Sequence, residues 1–209
     1  MIKGTPDLIA DRRETIINAC ETLYQSMSFR EITLKEIGNL VPFSRPTIYN
    51  YFQTKEEIFL ALFKREYDRW NAALEQILTQ NDRLSPAALA DSIARTLEER
   101  TQLLKLLAMN NYDMEANSRP ELLTAFKTSY GQSLTLMRRL LERFCPRFSQ
   151  AQVGTVLYIF FPFMFGIYPY AAVTDKQKQA MNDAGIDFAY PSVYTLTYNC
   201  LMHLFGESA

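Results

Sequence analysis

Residues Thr33 to Lys55 read TLKEIGNLVPFSRPTIYNYFQTK. The capping residues and prolines of this stretch divide it into two short helices, a bend and the start of a third helix. Thr33 can cap a helix whose third residue is Glu36, and Ile32 and Ile37 flank that cap as a hydrophobic staple. Leu34, Ile37 and Leu40 then share a face. Pro42 stops the helix, because it lacks an N–H and pushes Val41 out of helical angles, so the bend falls near residues 40 to 43. Ser44 is a second N-cap with Pro46 in the first turn, where its missing donor costs nothing, and Phe43 and Ile48 form a second staple. Thr54 with Glu57 marks a third start, another capping box.

The middle helix, expected from Arg45 to about Phe52, turns Ile48 and Phe52 inward. It leaves Arg45, Thr47, Tyr49 and Asn50 outside, with Tyr51 at the boundary, and no carboxylate on that face. An arginine fork pairs with guanine, an amide with adenine and a threonine methyl with thymine, so this face suits a DNA major groove. Taken as chemistry alone, the stretch is a helix-turn-helix.

The run from Ile37 to Lys55, IGNLVPFSRPTIYNYFQTK, also resembles the DNA-binding segment of the tetracycline-repressor (TetR/AcrR) family of one-component bacterial regulators. There Thr, Tyr, Tyr-Phe and Lys recur at these spacings. The resemblance covers about the first 65 residues; beyond them only length and helical character agree. Two departures stand out. Pro42 occupies a bend position where the family usually has glycine, which forbids a positive φ there. Pro46 replaces a common glycine or alanine, harmlessly for a first turn. The resemblance implies a dimer whose penultimate and last helices pair with their counterparts in a four-helix interface, and a first helix offering its N-terminus to a phosphate. Arg45, Thr47 and Asn50 are then the candidates for base edges. Thr33, Lys35, Ser44, Tyr49, Tyr51 and Lys55 are the candidates for backbone phosphates.

At 209 residues the chain suits one or two domains with a sizeable core. The net charge of −1 divides into +1 over residues 1–55 and −2 over the rest. Total charge therefore does not predict nucleic-acid binding; the placement of Arg12, Arg13, Lys35, Arg45 and Lys55 has to carry it. Cys20, Cys145 and Cys200 are far apart, odd in number and in apolar helical contexts, as expected of reduced thiols in a cytoplasm. His203 is the one histidine and is expected in the core or at a helix end, so a His-based metal site or a Ser/His triad is poorly supplied. The first thirteen residues lack an apolar signal-peptide core. No paired carboxylates, activated Cys or Ser, or Gly-rich phosphate loop is found. The expectation is therefore a non-enzyme with no catalytic residue, no metal and no cofactor.

Along the rest of the chain, Thr5-Pro6-Asp7 opens a first helix with Ile9, Ile16, Ile17, Cys20, Leu23, Tyr24 and Met27 at helical spacing. From Thr54 a pattern without proline or glycine runs to about Gln80, roughly 40 Å of helix at 1.5 Å per residue, long enough to connect two domains mechanically. Ser85-Pro86, Gln102 to Met114, Ser118 to Phe144, Ser149 and Tyr190-Pro191 open or bound further segments, the last ending at Gly206. About nine helices are expected in all, with no repeat.

Residues 150–174 contain no charge, and a bilayer needs about 20 apolar residues. A membrane-associated helical sensor is therefore the alternative reading. Against it stand Pro162, Gly166 and Pro169 inside the run, polar residues in its first half and no flanking basic cluster. The preferred expectation is a helix buried on nearly all sides and kinked or interrupted at Pro162. Residues 175–189 form the most polar insertion, expected as a short helix and a connector.

Aromatic and methionine side chains crowd the later part of the chain. A bundle cavity lined by some of them would take a lipophilic or flat aromatic molecule. The candidate effector pocket is Met109, Tyr112, Phe126, Tyr130, Phe161, Phe165 and Tyr168. The candidate dimer interface is Tyr158, Phe163, Tyr194, Tyr198 and Leu201. The expectation is thus all-α: an N-terminal three-helix helix-turn-helix DNA-binding domain over residues 1–55, and a C-terminal helical bundle over 56–209 for ligand binding and dimerisation. Its function would be that of a cytoplasmic homodimeric regulator. A small hydrophobic or aromatic effector would release this repressor from a palindromic operator in double-stranded DNA.

Overall fold

The structure, a computed structural model, describes residues 5–109 and 111–206, and all of its regular elements are helices. They are α1 (Pro6–Ser26), α2 (Leu34–Leu40), α3 (Arg45–Tyr49), α4 (Lys55–Gln80), α5 (Pro86–Glu98), α6 (Thr101–Leu107), α7 (Asn111–Ala116), α8 (Pro120–Phe144), α9 (Gln150–Ala171), α10 (Asp175–Asp183) and α11 (Val193–Phe205). The count exceeds the expected nine because the 102–114 segment is two helices and the polar insertion contributes α10. Two compact units result, one of Met1–Glu66 with Asn110–Tyr130, the other of Tyr67–Met109 with Gly131–Ala209. Both α4 and α8 supply residues to each unit.

In the first unit, Thr5 caps α1 through its side chain, with Pro6 in the first turn. Ile16, Ile17, Cys20 and Tyr24 give α1 its buried face. α1 packs on α2, and α2 on α3. Ile32, Ile37, Ile48, Phe52, Ile58 and Phe59 are fully buried between them. Phe59 receives the edges of Tyr24 and Phe29, with ring centroids 5.1 and 4.8 Å away. Each such large apolar side chain contributes about 1.5–3 kcal/mol by leaving water. Leu40, on the same helix face as the buried Ile37, is half exposed.

In the second unit, α11 packs against α5 and α9, and α6 against α9. Trp70 is fully buried: its indole Nε1 donates to Thr96 Oγ1 at 3.0 Å, and its ring lies 5.9 Å from Phe161. The buried polar pair between α4 and α8 is satisfied, Ser133 Oγ donating to Asn71 Oδ1 at 2.7 Å. α9 begins with a capping box of Ser149 and Gln152 and stays helical through both Pro162 and Pro169, so of the expected kink or interruption at Pro162 the interruption does not occur. By length and composition α9 could cross a membrane. However, Val153, Val156, Leu157, Phe160, Phe161, Met164 and Ile167 turn into the unit. The opposite side exposes Tyr158, Ile159, Phe165 and Tyr170, so within the chain α9 is covered on one side, not on nearly all.

α10 is capped by Thr174 and buries nothing. Gly185 follows it at φ 68°, a left-handed turn that a side chain would strain. α11 starts after Ser192, two residues later than Tyr190-Pro191 suggested, and ends on Gly206 at φ 76°. His203 is exposed in its last turn. The three cysteines are free thiols. Burial raises the Cys20 thiol pKa and pushes Cys200 up to about 11, which leaves neither as a thiolate at neutral pH.

Candidate nucleic-acid interface

α2, the bend and α3 form the predicted helix-turn-helix, with α3 shorter than expected because the chain leaves helix at Asn50. Thr33 accepts from the Lys35 and Glu36 amides at 3.2 and 3.4 Å, and its hydroxyl donates to the Glu36 carboxylate. Val41, at φ −104° and ψ 147°, is extended as the following Pro42 demands. No described non-glycine residue has a positive φ, so Pro42 is accommodated by an extended bend. Ser44 occupies the N-cap position of α3 but caps no amide with its side chain; its hydroxyl meets Thr47 Oγ1 at 3.1 Å. Pro46 explains part of this, since it removes one of the amides a cap would serve.

Ile48 anchors α3 in the core at 0% exposure. Around it Ser44, Arg45, Tyr49 and Asn50 are exposed and Thr47 half-buried, and no carboxylate lies within residues 44–50. Thr33 and Lys35 are exposed at the start of α2. Two of the phosphate candidates sit elsewhere. Tyr51 is buried at 5% exposure, because the chain turns back toward the core after Asn50. Lys55 Nζ donates to the carbonyls of Phe29 and Ile32 at 2.7 and 3.1 Å and lies 4.1 Å from the centre of the Phe29 ring. These Lys55 bonds hold the start of α4 against the chain between α1 and α2. The guanidinium groups of Arg12 and Arg13 lie 5.9 and 4.9 Å from the Phe43 and Phe52 rings, and burial lowers the pKa of Arg13.

Thr54 caps α4 by accepting from the Glu57 amide at 3.2 Å. The reciprocal half of the box is displaced: the Glu57 carboxylate accepts from Gln53 N–H at 2.7 Å and from Arg119, whose Nε donates at 2.7 Å. Burial acts to raise the Glu57 pKa, but the hydrogen bonds from Arg119 and Gln53 outweigh it and hold the carboxyl below its ordinary range. Sequence reasoning missed Arg119, since nothing in a linear reading couples positions 62 residues apart.

The candidate effector residues divide between the units: Phe126 and Tyr130 belong to the first, Met109, Phe161, Phe165 and Tyr168 to the second. The Tyr112 side chain lies outside the described residues. Phe126 and Phe161 are buried, Met109, Tyr130 and Tyr168 half-buried, and Phe165 exposed. Two concavities of the second unit are lined by other residues. One of about 390 Å³ is lined by Pro169, Tyr170, Val173, Met181, Phe188 and Tyr190, and one of about 360 Å³ by Pro162, Phe163, Gly166, Ile167 and Leu196. Among the candidate interface residues, Tyr158 is 81% exposed and Phe163 half-buried. Tyr194 and Tyr198 stack at 5.7 Å, and the Tyr194 hydroxyl donates to Asp91 at 2.7 Å. Leu201 is fully buried within the unit, where α11 meets its neighbours, so it cannot face a second chain.

A helix-turn-helix with a buried core, joined in one chain to an all-helical second unit, is the architecture of a helix-turn-helix regulator. The profile described as bacterial regulatory proteins, tetR family, matches residues 16–62, and that of the tetracyclin repressor-like C-terminal domain matches residues 64–204. The chain belongs to the TetR family of transcriptional regulators. It is 24% identical over 107 residues to the HTH-type transcriptional activator FasR of Mycolicibacterium smegmatis, covering 50% of this chain and 49% of FasR. The match thus spans about half the length of that curated relative.

Solved structures share the fold. The fatty acid degradation regulator FadR of Bacillus halodurans superposes with a TM-score of 0.60 at 15% identity, over 98% of this chain and 97% of FadR. FadR of Bacillus subtilis in complex with stearoyl-CoA gives 0.61 at 16% identity, over 94% and 99%. Thermus thermophilus FadR, a TetR-family repressor in complex with lauroyl-CoA, gives 0.59 at 20% identity, over 92% and 93%. At these identities the likeness is one of fold.

Proposed function

We propose that the chain is a homodimeric repressor that reads a palindromic operator with α3 and leaves it on binding a lipophilic effector. The observation that carries this reading is the α3 surface itself: Arg45, Thr47 and Asn50 grouped around the buried Ile48, with no carboxylate beside them. Arg45, Thr47 and Asn50 are assigned to base edges, and Thr33, Lys35, Ser44 and Tyr49 to phosphates. DNA binding is assigned to residues 1–55 and effector binding and dimerisation to residues 56–209.

The second copy is assigned to α9 and α11, where Tyr158, Phe163, Tyr194 and Tyr198 supply aromatic surface of the kind interfaces favour. An acyl-CoA thioester is the effector to test first. The FadR proteins of the same fold are solved with stearoyl-CoA and lauroyl-CoA, and Met109, Phe161, Phe165 and Tyr168 of the second unit are assigned to the acyl chain. The decisive experiment selects DNA from a random pool with the purified chain, footprints the enriched sequence and then titrates in acyl-CoAs of increasing chain length. Enrichment of a palindrome and its release by one chain-length class are expected. Enrichment of no sequence, or of a site that remains occupied when acyl-CoAs are added, would reject the DNA-binding and effector assignments respectively.

A further inference from the structure

Arg119 is the residue before Pro120, which opens α8. Its backbone N–H and Nε donate to Glu57 Oε1 at 3.2 and 2.7 Å. Its Nη2 donates both to Glu57 Oε2 and to the carbonyl of Tyr51, each at 3.0 Å. Beside this fork, Thr54 Oγ1 donates to the Asn117 carbonyl at 2.9 Å. About two turns further along each helix, Phe63 packs on Phe126 with ring centroids 4.8 Å apart. The stretch that leads out of α3 and into α4, residues 51–57, is thereby fastened to residues 117–119. Residues Asn110–Tyr130 accordingly cluster with the helix-turn-helix while the rest of α8 does not. Glu57 is 1% exposed, so its charge needs this partner, and a planar fork can serve a carboxylate and a carbonyl together. Charges near the pair include Arg13, which interacts with both Glu57 and Arg119 and stacks on Phe52, and Glu121, whose carboxylate lies 3.7 Å from Arg119 Nη1.

We propose that Arg119 is a positioning residue for DNA recognition, fixing the end of α3 against the start of α4 and so the angle at which Arg45, Thr47 and Asn50 meet the bases. It rests on the DNA-binding reading above and adds a determinant that touches no DNA. The test uses the full chain and the duplex that the wild-type chain enriches from a random pool, beside an unrelated duplex. Wild type, Arg119→Lys and Arg119→Ala are compared at a temperature where circular dichroism shows each one folded.

Arg119→Ala should lose about ten-fold or more in affinity for the enriched duplex while staying within about two-fold on the unrelated one, with the salt dependence unchanged because no phosphate contact is removed. Arg119→Lys, which keeps the charge but not the planar fork, should recover part of the loss. A folded Arg119→Ala with the wild-type ratio of enriched to unrelated affinity overturns the proposal, as does an equal loss on both duplexes. Should Arg119→Ala not fold, the same ratio measured on Arg119→Lys decides: an unchanged ratio overturns the proposal and a reduced one supports it. A wild-type chain that enriches nothing overturns the DNA-binding reading itself, a result separate from a wild type that selects and a variant that does not differ.

Discussion

In the proposed reading, the residues of the helix-turn-helix divide into those assigned to the groove and those that hold them there. Asn50 is exposed at the end of α3, in the αR conformation, and its amide has the two-sided donor and acceptor pattern that adenine requires. Asn50→Ala should relax the preference at one base step by about 1–3 kcal/mol while leaving the salt dependence of binding unchanged, as read by competition among single-base variants of the enriched site. Lys55 belongs to the other group. Its ammonium closes two carbonyls in the α1–α2 connection, so Lys55→Met should cost about 1–2 kcal/mol of stability in a urea titration. The slope of log affinity against log salt should stay as in the wild type; a slope smaller by about one phosphate contact would return Lys55 to the DNA surface.

Glu57 gives a pH test at the same scale. Its folded pKa lies below the ordinary carboxylate value, so its stabilising contribution is complete above that value and is lost as pH falls through the folded pKa. The stability difference between wild type and Glu57→Gln should therefore narrow as urea titrations move from about pH 6 to about pH 3.

Among the elements, α9 shows best how a helix can be apolar for two reasons. One side is core; the other carries Tyr158, Ile159, Phe165 and Tyr170 into solvent. Large apolar groups exposed together on one side of a helix mark an association surface. Placing a charge there, Tyr158→Glu, should raise the dimer dissociation constant at least about ten-fold in sedimentation equilibrium, since a carboxylate would be stripped of water on association. Unchanged self-association would move the interface off this face. The helix starts were readable because Thr33, Ser85 and Ser149 each cap locally, within three residues, where side-chain reach alone decides the geometry. Ser44 looked identical in sequence and behaves differently because Pro46 and Thr47 change what its hydroxyl can meet.

For the whole molecule, the functional reading predicts two copies of α3 on one face of the duplex. Footprints on the enriched site should show two protected half-sites with centres about one helical turn, ~34 Å, apart. A single protected half-site at saturating protein would reject the homodimeric arrangement.

The chain's linear order determined its helical class, the helix-turn-helix and the outward polar face of α3, because caps, prolines and the 3.6-residue period act over a few neighbours. The tertiary structure alone decided that Tyr51 is buried, that the Lys55 ammonium meets the Phe29 and Ile32 carbonyls, that Leu201 lies inside, and that Glu57 finds Arg119 across 62 residues. Those outcomes depend on which distant groups share a volume from which water is excluded, and local spacing carries no record of that.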